Sequence, residues 1–164
     1  MSVGSRVSSD TQLARLLQIG VVLEELVEAR AITHYREMAA DRDVDPDIEE
    51  LLEHAAEESA EHREYLEELV EALDAESIPF EDIEALVEER YGRSKPEDFD
   101  DVLYDQLAGE ETAYKFYDDV IAAIEESDAR FSVDRERVLE TLRWIREEEA
   151  EGVEAVTELM EGRS

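Results

Sequence analysis

Apolar residues recur every three to four positions along most of this chain, the period of an α-helix with one buried face, and no stretch shows the strict alternation of a half-buried strand. Four long helices are predicted. The first runs from about Asp10 to Ala40. The second opens at Asp45-Pro46, where an aspartate suits the N-cap and a proline the first helical position, and runs to about Ala75. The third starts near Pro96 and ends around Ser127. The fourth follows Ser132, read as its N-cap, and ends near Glu161. At about 30 residues, each helix is roughly 45 Å long. The first and last connections are short, so each pair of helices is expected to fold back as an antiparallel hairpin. Between the pairs, Glu76 to Lys95 forms a longer crossover holding a short amphipathic helix, FEDIEALVEERY, stopped by Gly92. The expected fold is all-α: an antiparallel four-helix bundle occupying residues 10–162 as one domain, behind a flexible segment 1–9.

Each helix has a buried seam. The second places Ile48, Leu52, Ala55, Ser59, His62, Leu66, Leu69 and Leu73 on one face. The third places Phe99, Leu103, Leu107, Glu110, Tyr114, Tyr117, Ile121 and Ile124, and the fourth Val138, Leu142, Ile145, Glu149, Gly152, Val156 and Leu159. The first reads Leu17, Val21, Glu24, Glu28, Ala31, Tyr35 and Met38. Every seam is apolar at both ends and polar or small in the middle, at Glu24 with Glu28, Ser59 with His62, Glu110, and Glu149 with Gly152. In helices of similar length these interruptions fall at one level. A second stripe on the first helix, Leu16, Ile19, Leu23 and Leu26, either completes the core or forms a dimer face.

Ionised carboxylates gathered in a low-dielectric core repel one another and lose hydration, a penalty of several kcal/mol each unless they are neutralised. A divalent cation neutralises them, and so does protonation through raised pKa values. No arginine lies on the four seams to do it instead. One glutamate on a seam is a common accident of register in so charged a chain; four helices interrupted at the same height form a stronger pattern. His34 and His54 fall off the seams and are expected in solvent. Tyr35 and Tyr117 follow Glu28 and Glu110 by seven residues each, two helical turns, and so share their faces. They are either core aromatics or phenols bonded to a carboxylate of the facing helix. The matched spacing suggests a duplicated hairpin.

Composition narrows the function. With 48 acidic against 16 basic residues and a formal net charge of −32, the chain lacks the clustered cations that neutralise phosphates, which excludes nucleic acid and disfavours an anionic membrane surface. The absence of cysteine excludes disulfides, thiol chemistry and cysteine-ligated metal sites. The apolar runs fall far short of the roughly 20 residues that span a bilayer. The opening MSVGSRVSSD has no apolar stretch of the kind a secretory signal needs, so a cytoplasmic location is expected. Among the 16 basic residues only Lys95 and Lys115 are lysines. Such a carboxylate-rich, lysine-poor surface repels itself at low ionic strength. It becomes tolerable in molar salt, where the Debye length is about 3 Å, so a halophilic protein is expected.

The segments around the interruptions resemble the ferritin-like superfamily, and the helical domain of rubrerythrin in particular. EARAITHYREMA looks like that family's first-helix motif, with Glu28 as the ligand and Tyr35 following it. AGEETAYKFY looks like the third-helix motif, with Glu110 as the ligand, and ESAEHREYL and EEEAEGVEAV look like the second and fourth. The resemblance covers about residues 15 to 160. It implies a ferritin-like bundle, a homodimer, and a carboxylate-bridged di-iron centre that oxidises ferrous iron or reduces peroxide. In the family, one Glu from each of the first and third helices joins a Glu-x-x-His from each of the other two.

This chain has Ser59-x-x-His62 and Glu149-x-x-Gly152 in those places. Carried over residue by residue, one metal position keeps Glu28, His62 and Glu149, and the other keeps only Glu110 and a share of Glu149. The resemblance therefore implies one iron or manganese ion more readily than two; carboxylate with imidazole also suits zinc. Glu24, Glu58 and Glu148 stand near these positions as candidate substitutes. No cysteines supply a built-in rubredoxin domain, so redox activity would need an external electron donor. Two other readings stay open. The bundle is a metal-free structural or interaction module, or the hole that Gly152 leaves in place of an imidazole is a small-molecule pocket.

Overall fold

The computed structural model describes residues 7–39, 45–75, 79–90 and 102–162, which form five α-helices and no strand. They are α1 (Asp10–Ala39), α2 (Pro46–Ala72), α3 (Phe80–Arg90), α4 (Val102–Glu126) and α5 (Arg135–Glu161). Gly92 and the expected start of the third long helix at Pro96 lie outside the described residues. Asp45 caps α2 as expected, its side chain accepting from the Asp47 N–H at 2.9 Å, with Pro46 in the first turn.

The cap of α5 differs from expectation. Asp134, not Ser132, accepts from the Glu136 N–H, at 3.3 Å. Ser132 is engaged elsewhere: its Oγ accepts from the Asp74 N–H at 2.9 Å and its own N–H donates to Asp10 Oδ1 at 2.9 Å. Asp10 also accepts from the Asp74 N–H at 3.3 Å. It thus ties together the start of α1, the end of α2 and the α4–α5 connection. The Ser132 hydroxyl, with these backbone N–H groups, holds the Asp10 carboxyl below its ordinary pKa.

α1 packs along α2 and α4 along α5, while α1 also meets α3 and α4, and α2 meets α5. Contacts between α1 and α2 run from Asp10 against Asp74, through Gly20 against Leu66, to Glu24 against His62. Those between α4 and α5 run from the Ile124 carbonyl against Arg135, through Asp118 against Arg146, to Glu110 against Gly152. Gly20 permits the close approach of α1, since a Cβ there would stand 3.2 Å from Leu66 Cδ1 and 3.3 Å from the Phe116 ring.

Every predicted seam residue of α2 is buried. So are Val138, Leu142, Ile145, Glu149 and Val156 of α5. On α4 the expectation for Tyr114 is corrected: it is exposed, and Ala113 and Phe116 take core positions instead. The second stripe of α1 completes the intramolecular core, with Leu23 buried and Leu16, Ile19 and Leu26 packed against it. α3 adds Ile83 and Val87 to the same core. Val7, placed by the sequence in a flexible segment, is also buried there, and Ser127 Oγ donates to its carbonyl at 2.5 Å.

The apolar residues separate into a larger cluster, which includes Leu17, Leu66, Ile121 and Leu142, and a smaller one of Ala31, Ile48, Leu52, Leu103 and Val156. This is the outcome expected of seams that are apolar at both ends. Among the described residues, no helix is long and apolar enough to cross a membrane.

Candidate metal centre

His62 is the middle of the polar level. It is fully buried on α2, one turn after Ser59, which is also buried. Its Nδ1 lies 3.3 Å from Glu24 Oε1 on α1 and 3.2 Å from Glu149 Oε1 on α5. Its Nε2 lies 2.9 Å from Glu148 Oε1. Burial alone would lower the His62 pKa. The hydrogen bond and charge of Glu24, the hydrogen bond to Glu148 and the charge of Glu58 outweigh it and raise the pKa from 6.5 to about 9. In the absence of a cation this balance favours the protonated ring, with a carboxylate facing each of its two nitrogens. The edge of Trp144 packs against it with ring centroids 5.5 Å apart, and Tyr65 packs in turn against Trp144.

The carboxylates around the ring are desolvated. Glu24 is fully buried; its Oε1 accepts from the Tyr117 hydroxyl at 2.7 Å and its Oε2 has no hydrogen-bond partner. Burial, the charges of Glu24 and Glu110, and hydrogen bonds to both push Glu149 well above the ordinary carboxyl pKa. Glu110 is also raised by burial and by the Glu24 charge, against the opposing effects of Glu149, Gln106 and His62. Its Oε1 accepts from Gln106 Nε2 at 2.9 Å, and its Oε2 has no partner. Burial raises Glu58 to about 8, assisted by the Glu110, Glu148 and Glu24 charges and opposed by His62.

The residues singled out in the sequence are distributed unevenly. His62 and Glu149 come together as expected, and Glu110 joins them through its interaction with Glu149. Glu28 does not: it is partly exposed and accepts from Arg63 Nη1 at 2.6 Å. Glu24, one turn earlier, occupies the position beside His62. The available clue was Arg63 itself, next in sequence to His62 and able to draw a glutamate off the seam. Gly152 does not leave an empty hole, because the Glu110 carboxylate reaches into the space: a Cβ at 152 would stand 2.6 Å from Glu110 Oε2.

Tyr117 donates to a facing helix at the centre of the site. Tyr35 lies instead against Glu53 and Glu49, whose charges raise its pKa. The two halves are thus not equivalent. His54 is exposed beside Glu58, as expected. The expectation of a solvated His34 is corrected: it is buried, with Nε2 2.7 Å from Asp105 Oδ2, and Asp105 also pairs with Arg30. His34 continues the second stripe of α1 at helical spacing through Arg30, beyond Leu26 where the sequence reading ended it.

Among the described residues, two sets bring donor atoms within 4.8 Å of one another: Glu24, His62 and Glu149, all buried, and Glu58, His62 and Glu148, partly open. Carboxylate with imidazole suits iron, manganese or zinc. The orphaned Oε2 of Glu24 also fits a cation. The two sets share one imidazole, which favours one ion over two. With Nδ1 turned to the buried pair, Glu148 holds the other ring nitrogen, the outer contact that commonly orients a ligating histidine. No protein-family model matches the chain, and comparisons with curated proteins and with solved structures find no significant similarity.

Proposed function

We propose that this chain is a ferritin-like, rubrerythrin-like bundle, with α1–α2 and α4–α5 as antiparallel hairpins, that holds one iron or manganese ion at Glu24, His62 and Glu149. The observation that supports the reading best is a fully enclosed triad of ligating side chains with an unpartnered carboxylate oxygen. A bound ion of this kind supplies one-electron redox capacity, for ferrous iron oxidation or peroxide-related protection with an external electron donor. The chain's residues do the positioning. Tyr117 fixes the Glu24 carboxylate, Glu148 fixes the imidazole, Gln106 holds Glu110, and Trp144 with the surrounding apolar clusters excludes water.

A second reading has its own support. The raised pKa values of His62, Glu58, Glu110 and Glu149 are those of a cluster that balances charge with protons. In that case the chain is a metal-free bundle serving as a structural or interaction module.

Metal-stripped protein in molar KCl, offered ferrous iron, manganese or zinc without oxygen, separates the two. Metal content is read by plasma mass spectrometry. Binding is followed by emission of Trp144, the only tryptophan, placed against His62. The expected result is about one equivalent, lost in His62→Ala and Glu24→Gln and kept in Glu28→Gln. Retention of no metal favours the proton-balanced module. Two equivalents would replace the single ion by a pair using Glu58 and Glu148. Loss in Glu28→Gln with retention in Glu24→Gln would restore the ligand set carried over from the family.

A further inference from the structure

A line of aromatic rings leads outward from His62. Trp144 of α5 meets the imidazole with ring centroids 5.5 Å apart and planes at 82°. Tyr65 of α2 meets Trp144 at 5.1 Å and 77°. His62 is fully buried, whereas Trp144 is 38% and Tyr65 41% exposed, so two ring contacts join the enclosed cluster to solvent. Edge-to-face contact is a common packing mode. What sets this pair apart is the chemistry of the rest of the chain. The protein has no cysteine and only three methionines, Met1, Met38 and Met160, so sulfur, the usual first target of an oxidant, is scarce. Of the side chains that remain, indole and phenol yield an electron most readily. Trp144 is the only tryptophan, and it stands against the proposed ligand.

Peroxide chemistry gives this pair a task. Reduction of a peroxide to water takes two electrons and two protons, and a single ferrous ion yields one electron. We propose that Trp144 and Tyr65 form a one-electron relay between the His62 cluster and solvent, and that it supplies the second electron. The relay rests on the reading of the cluster as a single-ion centre. The Trp144 indole gives up the electron and releases its Nε1 proton to solvent. Tyr65 then reduces the indolyl radical, losing its phenolic proton to solvent while Nε1 takes one back. An external one-electron reductant of the ascorbate or thiol class, with a proton from solvent, restores the phenol. In sum one electron passes from the reductant to the cluster, and both rings end as they began. The exposure of the two rings gives the protons their exit and the reductant its access.

Two measurements test the relay. In metal-stripped protein in molar KCl, pulse radiolysis with the azide radical oxidises Trp144, and transient absorbance follows the radical. The expected result is first-order decay of the tryptophanyl band, independent of protein concentration, with matching growth of a tyrosyl band. Tyr65→Phe should slow it at least about tenfold. A rate unchanged in Tyr65→Phe assigns the transfer to another tyrosine and overturns the proposal, as does decay that depends on protein concentration. In the second measurement, ferrous-loaded protein is mixed with hydrogen peroxide without oxygen, freeze-quenched and read by electron paramagnetic resonance, scored per ion bound. A tyrosyl radical is expected, replaced by a tryptophanyl one in Tyr65→Phe. It should be lost in Trp144→Phe, where the ring remains but does not yield an electron, and should return in Trp144→Tyr. Circular dichroism verifies the fold of each variant. A role for Trp144 in packing alone would leave the radical intact in Trp144→Phe, and that result overturns the relay. Absence of bound metal overturns the single-ion reading and the relay with it, whereas bound metal without the Tyr65 radical overturns the relay alone.

Discussion

Without a cation the polar level is held by protons, and the metal-free protein must lose stability as the pH rises. The perturbation is the pH of chelator-treated protein in molar KCl, where surface charges are screened over about 3 Å and buried ones far less. The His62 pKa is raised from 6.5 to about 9 in the folded chain. A group raised in this way binds its proton more tightly folded than unfolded. Its contribution is complete below pH 6.5 and is lost as the pH climbs through about 9. The displacement corresponds to about 3 kcal/mol.

Glu58, raised from 4.5 to about 8, acts in the same direction, as do Glu110 and Glu149. Above pH 4.5 the unfolded chain has released protons that the folded cluster keeps, so stability again falls with rising pH. These neighbours draw on the same few protons, so the His62 step alone sets the expected loss. For a domain of this size about 3 kcal/mol is roughly 6–12 °C in Tm. Thermal unfolding followed by far-ultraviolet circular dichroism, between pH 6.5 and 9, measures it. A bound ion should flatten or reverse the slope, because metal ligands must be deprotonated and the ion competes with protons. A Tm that stays flat or rises with pH in the metal-free protein would refute the reasoning.

Three further outcomes are expected. Gly152→Ala should gain about 1 kcal/mol of helix propensity only when Glu110→Ala has cleared the space its Cβ needs; equal effects in both backgrounds of a urea-unfolding cycle would show that Glu110 does not reach there. Asp105→Asn should cost about 3 kcal/mol in urea unfolding, because the buried carboxylate pairs with both Arg30 and His34; a cost under about 1 kcal/mol would mean that the pairing is weak. Moving the protein from molar KCl to dilute buffer should lower its Tm and helicity, since the net charge of −32 then repels unscreened; unchanged circular dichroism would remove the halophilic reading.

Helix identity, and the burial of the α2 and α5 seams, follow from a periodicity that is local to each segment. Local too is the alternation of apolar ends with a polar middle, to which the two apolar clusters of the structure correspond. What depended on neighbours was not legible in one segment. Glu24 and Glu28 lie one turn apart on one face; Glu28 pairs with Arg63 of the facing helix, while Glu24 turns to His62 and Tyr117. Ser132 and Asp134 are both good caps, and the distant Asp10 and Asp74 draw Ser132 away. α1 touches α2 on one side and α4 on another, and His34 is buried against Asp105 of α4, past the point where the second stripe was read to end.

The chain's own pattern determined the helices, their buried stripes and the height of the polar level, because those follow from 3.6-residue periodicity alone. Tertiary structure decided which carboxylates surround the imidazole and that Glu110 fills the space over Gly152, because both depend on how each helix is rotated against its neighbours and on which charged partners compete for each side chain.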